Sequence, residues 1–331
     1  MIFLILQRFL LYLCSNENDL DPGRRTLVLK GIVVKSTGSW ITVRQDDGAC
    51  TECRLKGQFR IKGLRSTNPI AIGDRVDFEF MLNEGIGLIT KIYDRDNYII
   101  RKATKLSKVT HIIAANIDHA YLIATLAYPK TSTGFIDRFL VTATGYYIDA
   151  SIIFNKTDLY NDTLKNREEE LRSIYEKAGY PCYSVSALKG DNVNLIRDLL
   201  AGGINLFAGH SGAGKSALIN AISPGLKLKT GILSTVHRKG MHTTTYPEMI
   251  ELSNGGFIID TPGIKEFGLI DFDKSEIPRC FPEMERFLPH CQYRNCSHTH
   301  EPNCAVKQAI NNGEVSELRY NSYLSILNDS V

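Results

Sequence analysis

The segment Gly209-His210-Ser211-Gly212-Ala213-Gly214-Lys215-Ser216 indicates the class of fold. It follows the apolar run 204–208 and opens the helical pattern 215–222, which is the strand–loop–helix context of the phosphate-binding sequence G-x-x-x-x-G-K-S. Its glycines let backbone N–H groups surround phosphate oxygens at a helix N-terminus. We therefore predict a nucleotide site that extends to Ala217. In this site Lys215 reaches the β- and γ-phosphates and Ser216 coordinates Mg²⁺.

Apolar runs alternate with helical patterns on the N-terminal side of this loop. The runs 120–126, 150–154 and 182–185 alternate with helical patterns at 135–147, 164–178 and 193–200. Such alternation predicts a doubly wound, mostly parallel sheet with helices on both faces. Downstream, 249–252 and 257–259 flank Ser253-Asn254-Gly255-Gly256 and predict a hairpin.

A second motif indicates which base the site selects. Asn155-Lys156-Thr157-Asp158 ends the run 150–154. A carboxylate at Asp158 can accept both donors of the guanine N1–H and N2–H₂ edge, whereas adenine lacks that pair. We expect Asn155 to bond the base and brace the loop, and the Lys156 stem to cover the ring. Ser186-Ala187 ends the next run and offers a backbone N–H to guanine O6. Both motifs lie at strand C-termini, where doubly wound sheets bind ligands.

The remaining catalytic positions follow the phosphate loop. Asp260-Thr261-Pro262-Gly263 ends the run 257–259. We expect Asp260 to hold Mg²⁺ through water and the Gly263 N–H to meet the γ-phosphate. Within Thr243-Thr244-Thr245 we select Thr244 as the switch residue that closes over Mg²⁺. Ile264 stands where many GTPases carry a glutamine that positions water, so His242 is the local candidate for that role, the alternative being a solvated loop histidine.

The N-terminal third has the pattern of a small β-barrel. Five short β-rich segments, punctuated by Asp, Asn, Gly and Pro, occupy 27–35, 40–44, 50–55, 75–81 and 88–93, which favours the five-stranded oligonucleotide/oligosaccharide-binding (OB) barrel. Residues 24–108 hold 17 Lys and Arg against 9 Asp and Glu, although the whole chain carries only +3. This excess favours an anionic partner, with Lys56, Arg60 and Lys62 in one loop. Trp40 is expected in the barrel core, the alternative being stacking on a base.

Three of the eight cysteines lie close together near the C-terminus. Cys291, Cys296 and Cys304 supply three thiolates, and His298 between them supplies an imidazole. Such a set is typical of a closed, structural Zn²⁺ site in a reducing compartment. His290 and His300 compete with His298 for the fourth position.

The guanine motifs at 155 and 186 precede the phosphate loop, whereas GTPases ordinarily carry them after it. The binding loops need only converge in space, so this order indicates a circular permutation. Together with the barrel, the GHSGAGKS loop and the later cysteines, it resembles the RsgA family of ribosome small-subunit-dependent GTPases over about residues 27–327. Further resembling segments are Lys30-Gly31-Ile32-Val33 through Thr37-Gly38-Ser39-Trp40, and Ala114-Ala115-Asn116-Ile117-Asp118.

The resemblance implies one activity and one partner. We expect a GTP hydrolase that uses GTP/GDP with Mg²⁺, holds one structural Zn²⁺ through His298, and employs His242 in hydrolysis. The family's partner is the small (30S) ribosomal subunit with its rRNA, and the family's role is late maturation of that subunit. Two alternatives stay open: an RNA-binding protein that uses GTP as a structural ligand, which the isoleucine at 264 permits, and a P-loop ATPase or kinase, which the Asn-Lys-x-Asp motif disfavours.

The predicted architecture is a multi-domain α/β chain. It comprises an OB-type barrel at 26–105, a circularly permuted P-loop GTPase domain at 106–275 and a mostly helical zinc-binding domain at 276–331. Residues 1–25 are expected to be a loose extension or a start-site artefact. Their apolar run 1–13 is too short to span a bilayer and lacks a signal-peptide leader; an interfacial anchor is the alternative. We expect a cytoplasmic monomer without membrane contact.

Overall fold

The computed structural model describes residues 27–56, 69–81, 84–102, 110–226, 248–260 and 272–329. Several predictions concern residues outside these ranges: the extension 1–25, the loop residues Arg60 and Lys62, the switch residues 242–245, and Gly263 with Ile264. Within the described ranges, no helix is both long and apolar enough to cross a membrane.

The predicted barrel is confirmed. Strand β1 pairs with β2 and β4, β2 with β3, β3 with β5, and β5 with β4, so the five strands close on themselves. Alternate residues point inward, as the two-residue period of a strand requires, and fill the interior with Val33, Val43, Phe78 and Ile89. The strands are β1 (Leu27–Thr37), β2 (Trp40–Arg44), β3 (Cys50–Leu55), β4 (Arg75–Met81) and β5 (Ile86–Ile92).

Trp40 does not lie in the barrel core, contrary to the prediction. It is 38% exposed, whereas Ile41 and Val43 are fully buried. Trp40 is the first residue of β2, and the alternation of that strand turns Ile41 and Val43 inward, leaving the indole on the outer face. The Arg54 guanidinium lies 4.2 Å from its ring centroid.

A two-stranded antiparallel sheet, β6 (Tyr98–Lys102) with β7 (Thr110–Ala115), lies at the junction after the barrel. The sequence did not predict it. The Ala115 N–H donates to Ile72 O at 2.8 Å, and Asn116 Nδ2 donates to Gly73 O at 2.8 Å. Gly73 has φ +90° and leaves room for Ala115 O, which would lie 2.0 Å from an added Cβ. The barrel is therefore hydrogen-bonded to the chain that leads into the next domain.

The predicted doubly wound sheet is also confirmed. Its order is β10-β9-β8-β11-β13-β12, parallel throughout except for β12, which pairs antiparallel with β13 as the predicted hairpin. A bridge between Lys35 and Glu248 continues this sheet into the barrel through β1 and β12. The strands are β8 (His119–Ala124), β9 (Asp149–Asn155), β10 (Cys182–Val185), β11 (Ile204–Ala208), β12 (Glu248–Glu251) and β13 (Phe257–Asp260).

Helices cover both faces of this sheet. Phe139 of α1 and Leu171 of α2 pack in one apolar cluster, and Ile196 of α3 and Leu218 of α4 pack in another. Two separate clusters on the two sheet faces are what a doubly wound domain requires. The helices are α1 (Thr133–Gly145), α2 (Asp162–Lys177), α3 (Val193–Leu199) and α4 (Lys215–Ile222).

The C-terminal region is mostly helical, as predicted. Its core contains Phe281, Met284, Val306 and Tyr323, and it also includes Val141 of α1, so it packs directly on the doubly wound domain. Besides two short 3₁₀ turns, the elements are α5 (Pro282–Glu285), α6 (Ala305–Asn311) and α7 (Glu317–Asp329).

Candidate functional site

The phosphate loop has the geometry that its glycines allow. Gly209, Gly212 and Gly214 have φ values of +151°, +84° and +93°, a region that favours glycine. A Cβ on Gly214 would lie 2.4 Å from Asn155 Nδ2, and one on Gly209 would lie 2.5 Å from Ile123 O. Gly214 is also the N-cap residue of α4 and supplies no side-chain cap. The first N–H groups of α4 are thus available to an anion.

Lys215 and Asp260 are half-buried side chains of opposite charge beside this loop. The Lys215 ammonium donates to Gly209 O at 2.8 Å. Burial lowers the pKa of Lys215, and the charge of Asp260 partly offsets that effect. Burial likewise raises the pKa of Asp260, partly offset by Lys215. Asp260 Oδ1 is buried and has no hydrogen-bond partner among the described residues. A buried oxygen without a protein partner is normally bound by a water molecule or an ion. The residues therefore fit the predicted Mg²⁺ site.

Asn155 connects the guanine motifs to the phosphate loop. Its Nδ2 donates to Ala213 O at 3.0 Å, and its Oδ1 accepts from the Ala187 N–H at 3.2 Å. The predicted bracing role therefore has a geometric basis. The same contact places the Ala187 N–H beside Asn155, at the end of the neighbouring strand.

Asp158 is held from the Ser186 side. The Ser186 hydroxyl donates to Asp158 Oδ1 at 2.6 Å. Thr157 begins the 3₁₀ turn that carries Asp158, and Lys156 precedes it with φ +64°. The Lys156 ammonium donates to Tyr128 O at 2.7 Å, so its side chain stretches along the site. The two guanine motifs that the sequence predicted separately form one hydrogen-bonded unit.

All four predicted loops meet at one edge of the sheet. The 155–158 motif follows β9, Ser186 follows β10, the phosphate loop follows β11, and Asp260 ends β13. These strands are parallel, so their carboxyl ends share the edge where such sheets bind ligands. The permuted order along the chain therefore leaves the spatial arrangement intact. Ser216 lies in the first turn of α4, at the same edge.

The sequence interpretation missed the loop after β8. Phe135 at the start of α1 stacks on His210 of the phosphate loop, with 3.9 Å between ring centroids and 29° between planes. Pro129 lies beside Gly212, 3.4 Å from where a Cβ would stand. The sequence predicts a parallel strand at 120–126. Because ligands bind at the carboxyl ends of such strands, the loop that follows this strand could have been predicted to border the site.

The predicted zinc ligands form one cluster. The ligand atoms of Cys291, Cys296, His298 and Cys304 all lie within 4.8 Å of one another. His298 Nδ1 is 3.6 Å from Cys291 Sγ and 3.3 Å from Cys304 Sγ. Tetrahedral Zn²⁺ with ordinary bond lengths separates nitrogen and sulfur ligands by about 3.5 Å. The donor set and its spacing therefore fit a four-coordinate zinc ion.

The cluster also distinguishes between the candidate histidines. His300 is exposed and its Nδ1 lies 2.9 Å from Thr299 Oγ1, while His298 is 3% exposed. Tyr320 donates to His298 O at 2.6 Å and Tyr323 donates to Ser297 O at 2.6 Å. The two α7 tyrosines thus hold the backbone of the ligand loop.

Fold and site together define a circularly permuted P-loop GTPase with an N-terminal barrel. The sequence matches the family model described as RsgA GTPase over residues 92–270, and the model of the RsgA N-terminal domain over residues 30–89. The chain belongs to the RsgA GTPase family. The members of this family are GTP hydrolases, so the enzyme class is settled against an ATPase, a kinase or a non-catalytic binding protein.

Curated relatives and solved structures agree with this family. "Small ribosomal subunit biogenesis GTPase RsgA 2" of Bacteroides thetaiotaomicron is 52% identical over 302 residues, covering 91% of this chain and 97% of that protein. The Flavobacterium psychrophilum "Small ribosomal subunit biogenesis GTPase RsgA" is 48% identical, covering 90% and 92%. YjeQ from Thermotoga maritima matches with a TM-score of 0.75 at 34% identity, covering 92% and 98%. YloQ, described as a circularly permuted GTPase, matches with a TM-score of 0.72 at 28% identity, covering 94% and 97%.

Proposed function

We propose that this protein binds the small ribosomal subunit and assists its late maturation, hydrolysing GTP to GDP and phosphate with activation by the subunit. The observation that carries the proposal is the convergence of the guanine motif, the phosphate loop and Asp260 at one sheet edge, in a chain whose 52%-identical relative is named a small ribosomal subunit biogenesis GTPase. We assign the protein to the cytoplasm as a monomer. Its three domains span residues 26–105, 106–275 and 276–331.

Substrate binding is divided between two groups of residues. Asp158, supported by Ser186, pairs with the guanine edge, while Asn155 ties this loop to the phosphate loop. The N–H groups of the phosphate loop and of the α4 N-terminus surround the phosphates. Lys215 places its half-buried positive charge at the β- and γ-phosphates. Ser216, Asp260 and Thr244 would hold Mg²⁺, which would supply further positive charge to the phosphates.

Hydrolysis requires an in-line water that attacks the γ-phosphorus while the bond to the β–γ bridging oxygen breaks. We assign the orientation of this water to His242, since Ile264 offers no polar atom at the usual position. Lys215 neutralises charge that develops on the leaving GDP oxygen. A partner that positions His242 against this water raises the rate. We therefore expect slow intrinsic turnover and strong stimulation.

The barrel supplies a surface suited to rRNA. Trp40 is exposed, and the Arg54 guanidinium covers its ring. Lys30, Arg54 and Lys56 are exposed as well. Cationic side chains neutralise phosphates, and an aromatic face can stack on an unpaired base. We propose that this face of the barrel contacts rRNA, and that the zinc ion stabilises the C-terminal domain without taking part in the chemistry.

The test is release of phosphate from GTP by the full chain, with and without purified small subunits. Small subunits should raise the rate by at least about tenfold, in line with activators that complete a GTPase site. The variant His242→Ala should lose this stimulation yet bind GDP normally. His290→Ala, an exposed histidine outside the zinc cluster, is the control. Equal rates with and without subunits would reject the proposed partner, and full stimulation of His242→Ala would reject the role of His242.

A further inference from the structure

The side chain of Tyr160 closes the turn that carries Asp158. Tyr160 is 7% exposed. Its hydroxyl donates to Asn155 O at 3.1 Å and accepts from the Leu126 N–H at 3.1 Å. Burial raises the pKa of Tyr160 to about 12. The hydroxyl therefore keeps its proton at neutral pH and can donate and accept at the same time.

The turn needs such a closure because its backbone is strained. Lys156 has φ +64°, a left-handed conformation that costs a non-glycine residue energy and persists only where surrounding contacts impose it. Inside the turn, Leu159 N–H donates to Lys156 O at 3.0 Å and Tyr160 N–H donates to Thr157 O at 3.1 Å. The Tyr160 hydroxyl then donates to the carbonyl of Asn155, the residue at which the turn begins. Asp158 lies between the two ends of this closed turn.

The same hydroxyl ties the turn to the loop after β8. Leu126 belongs to that loop, and the Lys156 ammonium reaches the carbonyl of Tyr128 two residues further on. These two hydrogen bonds leave from opposite sides of Asp158 in the sequence. The loop is itself fixed, because Thr125 N–H donates to Thr131 Oγ1 at 3.0 Å. The position of Asp158 thus depends on a neighbouring strand as well as on its own.

We propose that Tyr160 is a positioning residue for guanine selection: its hydroxyl locks the 155–160 turn onto the loop after β8 and so holds the Asp158 carboxylate in register with the guanine edge. This inference rests on the proposed binding of guanine by Asp158. Tyr160 touches neither base nor phosphate in this scheme. It acts through the backbone of Asn155, and its contribution appears as discrimination between bases.

The variant Tyr160→Phe isolates the hydroxyl. The ring, which packs in the core of the GTP-binding domain, is retained, while Asn155 O and the Leu126 N–H lose their partner. Tyr180→Phe is the matched control. Tyr180 is 4% exposed, and its hydroxyl bonds Thr144 Oγ1 at 2.8 Å. Tyr180 precedes β10 and lies at the amino ends of the parallel strands, whereas Asp158 lies at their carboxyl ends. The control therefore removes a similarly buried hydroxyl far from the guanine motif along the strand direction.

The experiment compares the Kd of GDP with that of inosine diphosphate in the full chain, by titration calorimetry. Inosine diphosphate lacks only the exocyclic amine that Asp158 recognises. Because removing the tie misplaces the carboxylate, Tyr160→Phe should reduce the Kd ratio of inosine diphosphate to GDP by about three- to tenfold. The ratio should stay at the wild-type value in Tyr180→Phe. Melting curves of both variants establish that they are folded.

The outcomes separate this inference from the function on which it rests. A wild-type chain that binds the two nucleotides equally would overturn guanine selection by Asp158 itself. An unchanged ratio in Tyr160→Phe, alongside clear discrimination by the wild type, would overturn only the positioning role. Equal weakening of both nucleotides would also overturn that role, since it would assign to Tyr160 a general part in stability.

Discussion

Replacing Arg319 by methionine should destabilise the contact between the GTP-binding and C-terminal domains. Arg319 of α7 is fully buried. Its Nε donates to Glu283 Oε1 of α5 at 2.6 Å, and its Nη1 donates to Asp137 Oδ1 of α1 at 2.8 Å. One guanidinium thus joins three helices from two domains. Methionine keeps most of the apolar stem and removes the charge, leaving two buried carboxylates without their common partner.

The expected magnitude follows from that loss of charge compensation. Breaking a buried ion pair by removing one partner costs about 3–5 kcal/mol. The hydroxyl of Ser322 still donates to Asp137, which places Arg319→Met toward the lower end of this range. With a urea dependence of about 2–3 kcal/mol per M, the midpoint of unfolding should fall by about 1–2 M.

The deficit should also depend on pH. Burial raises the pKa of Asp137, and the charge of Arg319 is the largest influence that lowers it. Removing Arg319 raises this pKa further above its value in the unfolded chain. When a carboxyl has a higher pKa in the folded protein than in the unfolded chain, the folded state loses stability as pH rises through the higher pKa. The variant should therefore lie closer to the wild type at pH 5 than at pH 8.

Urea titrations followed by far-ultraviolet circular dichroism test both expectations, because this signal reports the helices. The single tryptophan, Trp40, lies in the barrel, and its fluorescence provides an internal reference from a different domain. The double variant Arg319→Met/Asp137→Asn also removes the unpaired charge of Asp137 and should recover part of the lost free energy of unfolding. A midpoint shift below about 0.3 M for Arg319→Met at pH 8, less than about 1 kcal/mol, would refute the reasoning.

Three further perturbations probe the nucleotide and zinc sites. Gly214→Ala places a Cβ 2.4 Å from Asn155 Nδ2 at a residue with φ +93°. Calorimetry should show GDP binding weakened more than about tenfold, a loss of about 1.4 kcal/mol or more. Near-normal affinity would contradict the close approach. Asp158→Asn should shift preference from GDP toward xanthosine diphosphate, because the amide can donate to the extra oxygen of xanthine; retained preference for GDP would place base selection elsewhere. Cys304→Ser should abolish stoichiometric zinc by metal analysis while leaving GDP affinity within about twofold, since a closed structural site takes no part in chemistry; full zinc content would exclude Cys304 as a ligand.

The features predictable from the sequence are those that local chemistry imposes. The strands Trp40–Arg44, Cys50–Leu55 and Arg75–Met81 have the predicted bounds, because alternating inward residues and turn residues specify a barrel strand within a few positions. The phosphate loop is equally local, since its glycine positions demand left-handed or otherwise restricted backbone angles. The cysteine spacing constrains the zinc cluster in the same way.

The sequence did not predict features that depend on contacts between residues far apart along the chain. Residues 98–102 and 110–115 form β6 and β7 by pairing with each other and contacting the barrel, although neither segment has a clear apolar alternation. Arg319 lies 182 positions from Asp137, and no spacing rule connects residues so far apart. Nothing in the sequence distinguishes Tyr160 from other residues after a guanine motif, because its hydroxyl partner Leu126 lies in the loop after a different strand, β8.

The contact between barrel and sheet reaches the hairpin that carries Asp260. Strand β12 would be the exposed edge of the GTPase sheet, and exposed edges need covering. Here β1 bridges it at Glu248, and Arg44 of β2 donates to Glu251 Oε2 at 2.8 Å while its guanidinium lies 5.2 Å from the Phe257 ring. Three residues beyond Phe257, the same hairpin ends in Asp260. The barrel therefore supports the hairpin whose second strand, β13, ends in the Asp260 carboxylate at the nucleotide site.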